Sequence, residues 1–514
     1  MSLTRRDVLS LGALAAAHAA LPLRSWAQAA PDVELELTAS PAAVSILPGR
    51  PTDVWRFTGR VIKGPATALD VVPDSYLGPT IRVTQGQQVR IRFRNRLPDP
   101  SIVHWHGLDV PEAADGHPRL AIDGGRDYVY DFQVTNRAGT YWYHPHPHMQ
   151  TGPQVYSGLA GLFIVNDPDE RAVRLPSGAQ ELSAVIQDRR FDASNQLVYS
   201  TSMMDLETGM LGDRVLINGR PSPQWPVAAT AHRLRILNGS NARIYKLVWS
   251  DGSPLTVLGV DGGLLERPVQ RPFVTLAPAQ RLDVWVDLSG QPVGTQRELR
   301  SEAFPVADAG LDMGGMMGGR MGGMGRGRGS AMGGAASAPL GAPMSLLTLR
   351  VAQPAPRVAS GPPVLPSRLS APMTALRAGT GPVRQIPLTF RMMEWFLGGR
   401  AFGMDDVAPD ETVAADSVHD WEFVNAGGPM GMQMAHPIHV HGRQFQVVSR
   451  TGGAADNALR AGLLDQGWAD TVLVLPGETV RIRIPFSVHR GLFLYHCHIL
   501  EHEDMGMMRN YRIV

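Results

Sequence analysis

Three stretches of the chain alternate apolar and polar, mostly basic, side chains with a period of two: Gln87–Phe93, His232–Asn238 and Glu478–Ile484. Successive side chains of extended backbone point to opposite faces, so each stretch predicts a strand with one face inward and the other outward. Their recurrence at domain-sized intervals predicts a triplicated β-sandwich. The units are expected over 30–170, 171–355 and 356–514, the last entered through a Pro-rich linker running from Pro354 to Pro366.

A sharper repeat joins the outer thirds. Gly139-Thr140-Tyr141-Trp142-Tyr143-His144-Pro145-His146 matches Gly491-Leu492-Phe493-Leu494-Tyr495-His496-Cys497-His498, and His104-Trp105-His106-Gly107 matches His439-Val440-His441-Gly442. Each outer third thus carries two His-x-His pairs and the middle third carries none. If the pairs face each other across an interface, eight histidines converge on one cluster and the middle unit is a spacer. Setting His436, Cys497, His502 and Met507 against the first third gives Ser101, Pro145, Gln150 and Val155, so a second constellation belongs to the last third alone.

With 514 residues the chain exceeds a single core, and 55 glycines with 41 prolines favour turn-rich β structure over helix bundles. A formal net charge of +1 makes no case for nucleic acid or an anionic membrane as partner. Near the start, Thr4-Arg5-Arg6-Asp7-Val8-Leu9-Ser10 precedes an apolar stretch to Leu23 and then Ala27-Gln28-Ala29, the layout of a twin-arginine signal peptide over 1–29. Leu11 to Leu23 is short for a membrane anchor. Cleavage near Ala29 is expected, with folded export by the twin-arginine machinery to the periplasm or cell exterior. No later segment approaches transmembrane length, so no stable membrane insertion is expected afterwards.

Ten of the sixteen histidines fall in four short motifs, and Cys497 is the only cysteine, so no intrachain disulfide forms. A thiolate among histidines with a methionine downstream is the soft donor set that copper prefers. In extended backbone His496 and His498 point one way and Cys497 the other. One tripeptide then reaches two sites: the histidine cluster, and a trigonal set of His436, Cys497 and His502 with Met507 as weak axial ligand, the blue-copper arrangement. A lone His-x-His on a strand is more often incidental than metal-binding. Four such pairs, repeated and enclosing the sole cysteine, point to metal. His148, two residues beyond His146, offers an alternative register, which the repeat disfavours. His117, His232, His419 and His489 lack ligand context.

These motifs resemble those of the multicopper oxidases at both ends of the chain. The resemblance implies three cupredoxin-like Greek-key β-sandwich domains and four copper ions. It assigns a type 1 copper to His436, Cys497, His502 and Met507, and a type 2 copper to His104 and His439. A type 3 pair takes His106, His144, His146, His441, His496 and His498. The implied reaction is one-electron oxidation of a reductant coupled to four-electron reduction of dioxygen to water. That reduction consumes four protons, and Asp115 and Glu503 resemble the family's proton-relay acids, although each could be an ordinary surface or turn carboxylate.

Between 309 and 334 lies a Met- and Gly-rich insert with Met313, Met316, Met317, Met321, Met324 and Met332. So much glycine cannot pack a core. It reads either as a mute surface loop or as a Cu(I)-capturing segment, since thioethers are soft ligands. The insert resembles methionine-rich segments of copper-efflux oxidases and related metallo-oxidases. Met432 and Met434 precede His436 and could line the approach to the type 1 copper, although copper-efflux oxidases often carry an acid where this chain has Met432. The expectation is an exported oxidase of Cu(I), with phenols or similar small aromatic reductants as secondary donors, that serves copper tolerance. The alternatives are a laccase-like oxidase of small aromatics and a non-catalytic copper-binding or protein-binding relative. A nitrite reductase needs no type 3 pair and fits poorly.

Overall fold

The structure is a computed structural model that describes residues 30–514 except 200–201, 311–337, 356–362, 380, 392–393, 427–432 and 487. The leader, the six insert methionines, Met432 and the middle of the Pro-rich linker therefore lie outside the described residues.

Six sheets pair into three sandwiches. Val33–Val44, Thr52–Lys63, Gln88–Asn95 and Asp127–Gln133 form one layer of the first, and the layer carrying Val103–His106, Gly139–Pro145 and Gly161–Asn166 forms the other. Leu35, Phe93, Trp105 and Phe163 fill the space between them. A seven-stranded and a five-stranded sheet make the middle sandwich, around Leu234, Leu247, Val284 and Leu349. Two five-stranded sheets make the last, around Trp421, Ile438, Ile482 and Cys497. The described helices are single turns or little more, and none is long and apolar enough to cross a membrane. These are the cupredoxin-like sandwiches that the resemblance implied.

The three alternating segments are all strands, but they do not all behave alike. Gln88–Asn95 and Glu478–Pro485 alternate between buried and more open positions, as the period of two predicts. Ala231–Asn238 is buried along its whole length. Its basic face does not reach solvent, because Arg233 meets Asp283 and Glu170 at 2.5 Å and Arg235 meets Glu170 and Glu181 at 3.2 Å. Buried guanidinium groups persist where carboxylates neutralise them. Glu170 sits on the short helix Pro168–Val173, so this strand is the place where the first sandwich leans on the middle one.

Candidate metal centres

The two outer sandwiches present their histidines from matching hairpins. His104 lies opposite His144 where Val103–His106 pairs with Gly139–Pro145. His439 lies opposite His496 where His436–Val440 pairs with Gly491–Cys497. All eight predicted histidines are buried and converge at the interface between these sandwiches: His104 Nε2 is 3.4 Å from His439 Nε2, and His496 Nε2 is 3.4 Å from His146 Nε2 and 3.0 Å from His441 Nε2. The rings of His104 and His441 stack at 3.7 Å, as do those of His106 and His439. His148 is exposed and stands against Phe402 instead, so the register is the one that the repeat favoured.

Hydrogen bonds fix which nitrogens face inward. The Nδ1–H of His104 donates to the Asp115 carbonyl at 2.6 Å, that of His439 to the Asp470 carbonyl at 2.8 Å, and that of His441 to the Asp115 carboxylate at 2.9 Å. His144 and His496 likewise donate from Nδ1 to the Pro145 and Cys497 carbonyls at 2.9 Å. A carbonyl oxygen only accepts, so Nδ1 of His104, His439, His144 and His496 carries the proton and Nε2 keeps a lone pair; the ionised Asp115 carboxylate selects the same form of His441. Burial pushes every one of these rings below its usual pKa, His144 to about 3 and His496 to about 4, so they are neutral. His104 faces His439, and His441 faces His496, lone pair to lone pair. Among the described residues, His106 Nδ1, His144 Nε2 and both nitrogens of His498 have no hydrogen-bond partner. Buried, convergent lone pairs are an arrangement that a cation stabilises and nothing else here satisfies.

The second constellation assembles on the far side of the same strand. Cys497 Sγ is 3.5 Å from His436 Nδ1 and 3.7 Å from His502 Nδ1, and all three residues are buried. His502 rides on the short helix Leu500–Asp504, and Met507 follows it; the buried Met507 is tied through its backbone to both Cys497 and His502, at 3.0 and 2.8 Å. The His502 Nε2–H donates to the Glu207 carbonyl at 2.8 Å, which turns Nδ1 toward the sulfur. Burial raises the pKa of the Cys497 thiol and lowers that of His502 to about 3, so a metal that binds here displaces the thiol proton. Met434 is buried nearby in sequence and packs in the core of the last sandwich.

Both predicted acids are buried at the histidine cluster. Asp115 touches His441 as above, and burial, opposed by Arg443, pushes its pKa up to about 8. Glu503 lies 3.4 Å from His146 Nε2 and 3.2 Å from His496 Nδ1, and burial, followed by the charge of Asp504, raises its pKa well above the usual range.

Sequence reasoning missed several residues. Asp470 accepts from His106 Nε2 at 3.0 Å and is itself gripped by both terminal nitrogens of Arg281. Arg281 belongs to the middle sandwich, which also supplies Glu207 at the other constellation, and Asn241, whose side chain donates to Glu501 on the His502 helix at 2.8 Å. The middle unit is therefore not a spacer: two of its side chains and one of its carbonyls clamp the sites. Trp395, also missed, stacks on His502 at 4.3 Å and meets His436 edge-on at 4.8 Å. The one sequence signal available for Asp470 was its place just before the strand Thr471–Val474, which pairs with His436–Val440.

Comparison with known proteins agrees with this geometry. Two family models described as multicopper oxidase match residues 58–170 and 380–514. The multicopper oxidase McoA of the hyperthermophile Aquifex aeolicus superposes with a TM-score of 0.75 at 32% identity, covering 94% of this chain and 96% of that one. A Campylobacter jejuni multicopper oxidase described as a metallo-oxidase gives 0.73 at 25% identity, covering 93% and 91%. Among curated relatives, a laccase of Bacillus stratosphericus is 29% identical over 90% of this chain and 91% of its own. The cell division protein FtsP of Photorhabdus laumondii is also 29% identical, over 98% of each.

Proposed function

The chain belongs to the multicopper oxidase family, an oxidoreductase family that uses dioxygen, and from that premise we propose that it oxidises Cu(I) outside the cytoplasm at a four-copper site. The observation that carries the reading is Cys497, which stands between His436 and His502 while His496 and His498 on either side of it join the eight-histidine cluster. His436, Cys497, His502 and Met507 would hold the type 1 ion, His104 and His439 the type 2 ion, and His106, His144, His146, His441, His496 and His498 the type 3 pair. Bound copper supplies one-electron uptake from a reductant and the reduction of dioxygen to water.

The chain's own residues supply orientation and protons. Carbonyls of Asp115, Asp470 and Glu207 set the tautomers of His104, His439 and His502, the outer-shell role that fixes ring direction in metal sites. Asp115 and Glu503, buried at the cluster with raised pKa values, would carry protons near neutral pH and deliver them to it. The leader argues for export by the twin-arginine route, and oxidation of Cu(I) there would lower copper toxicity. The soft insert, with Met432, supports Cu(I) as the donor; Met434, expected to line the approach, is instead buried in the core of the last sandwich and does not.

Oxygen uptake by copper-loaded protein with Cu(I) as sole donor, beside Cys497→Ser, tests the reading. Uptake that depends on Cys497 supports it. Turnover with phenols alone moves the assignment to a laccase-like oxidase. Neither activity would favour a non-catalytic copper-binding or protein-binding role, a role that does not by itself require the full set of ten histidines and one cysteine kept here.

A further inference from the structure

The three sandwiches meet around a cavity of about 920 Å³ whose lining includes no predicted copper ligand. The first sandwich contributes Arg137 from the turn before Gly139–Pro145, and the middle one Leu264 and Leu265 from the strand Gly263–Arg271. The segment after the Pro-rich linker adds Leu369 and Met373, and the last sandwich Trp468. Small-molecule sites favour such junctions between domains, with apolar walls, few polar groups and volumes of roughly 300–1,000 Å³.

The charged groups of the lining differ in what they have left to offer. Asp167 accepts from the Ala138 and Glu170 N–H groups, both at 2.7 Å, and Glu170 meets Arg233 at 2.5 Å. Arg450 grips Asp465 through Nε at 2.8 Å and Nη2 at 2.9 Å, Glu266 stands 3.5 Å from Arg267, and Asp169 is exposed to water. Arg137 is the exception. Its guanidinium carbon lies 5.1 Å over the centre of the Trp468 ring, and among the described residues no carboxylate stands within ion-pairing distance and no acceptor takes its side-chain N–H groups. Burial lowers its pKa, and Tyr141 and Asp167 offset this only in part, as expected of a cation short of counter-charge. A guanidinium that rests on an aromatic face keeps its N–H fork for a carboxylate, which it binds through two parallel hydrogen bonds.

We propose that this cavity binds an organic monocarboxylate with an apolar, ring-sized body, its carboxylate held by Arg137 and its body laid against Leu264, Leu265 and Met373. A single guanidinium matches a single negative charge, and the apolar wall matches a hydrocarbon body. The occupant touches all three sandwiches. The two loops that hold it run on into the clamp at the histidine cluster: past Arg137, the Thr140 carbonyl accepts from Arg281 Nε at 2.9 Å, and past Trp468, Asp470 accepts from Arg281 Nη1 at 2.8 Å. The ligand therefore ties together the domains that the clamp also joins, without touching a copper ligand.

The test titrates the copper-loaded protein calorimetrically with cinnamate, an aryl monocarboxylate with no phenolic hydroxyl to oxidise, and with cinnamamide, its neutral counterpart. Cinnamate should bind once per chain, and cinnamamide about tenfold more weakly. Arg137→Gln should weaken cinnamate about tenfold and leave cinnamamide unchanged. Cinnamate should also raise the melting temperature of the parent more than that of the variant. The comparison of acid with amide needs only the parent protein, so it decides the matter even where the variant folds poorly. No cinnamate binding by the parent, or equal affinity for acid and amide, would overturn the site. So would cinnamate binding that survives Arg137→Gln undiminished, as a carboxylate held on copper would. None of these readings involves turnover, so each leaves the Cu(I) reading where it stood.

Discussion

The first and last sandwiches carry the same hairpin in the same register, with Val103 opposite Pro145 and His104 opposite His144 in one, and Ile438 opposite Cys497 and His439 opposite His496 in the other. Their inward histidines are interchangeable in placement. What differs is the opposite side of the strand. Where the last sandwich sets His436 beside Cys497, the first has Ser101 bonded to Gln154 at 2.8 Å, and Gln154 also donates to the Pro100 carbonyl. The first sandwich has closed its equivalent position with a neutral hydrogen-bonded pair that needs no ion. A repeat can therefore share one metal site between its copies and keep a second in only one of them, because the two faces of a strand are independent.

The strongest way to break that comparison is Cys497→Ser, which makes the last hairpin as unarmed as the first. Turnover should fall to background and the blue absorption should vanish, while the protein still binds copper at the histidine cluster by metal analysis. Glu503→Gln removes the acid from the last sandwich's side of the cluster and should slow dioxygen reduction about 10²-fold with the blue absorption unchanged; single-turnover reoxidation measures it, and an unaltered rate would remove Glu503 from proton delivery. Asp470→Asn disturbs the clamp from Arg281 to His106 and should weaken copper retention at the cluster about tenfold, read by chelator competition.

Copper removal exposes the next contrast. The ring pKa values of His144, His496 and His502 are depressed to about 3, 4 and 3 in the folded protein against about 6.5 when unfolded. Groups depressed on folding contribute stability that is present above the unfolded value and lost as pH falls through the folded one. The copper-free protein should therefore melt at progressively lower temperature as pH drops below about 6.5, and calorimetry of the loaded protein should show the loss displaced to lower pH. The smallest effect should come from Pro145→Cys, which places a thiol at the position of Cys497 in the first hairpin. With Ser101, Gln150 and Val155 at the positions that match His436, His502 and Met507 in sequence, no blue absorption should appear.

The sequence made the ligands legible because their information is local: two-residue spacings, a single cysteine and a repeat between hairpins. It made the outer strands legible for the same reason. It failed where the answer depended on a distant partner. The buried arginines of Ala231–Asn238 look like an outward face until Glu170 and Asp283 are placed over them. Arg281 meets Asp470 across a separation of 189 residues, and Glu207 meets His502 across 295, so neither contact leaves a spacing to read. The middle unit looked like a spacer because it lacks His-x-His pairs, yet its contribution is made of one carbonyl, one guanidinium and one amide.

The His104–His439 and His146–His496 contacts join positions 335 and 350 residues apart. Such closures come late in assembly, since the entropy of bringing distant segments together must be met before their contacts can hold. The outer sandwiches already meet there through the bonds between Asp115 and His441, His106 and Asp470, and His117 and Asn510, but between those bonds neutral imidazoles crowd together with lone pairs that no hydrogen satisfies. An ion bound there acts as a clasp between the first and last thirds, and its binding energy becomes adhesion between domains. Copper scarcity would then be felt as a mechanical property: the seam would keep its direct hydrogen bonds and lose its clasp.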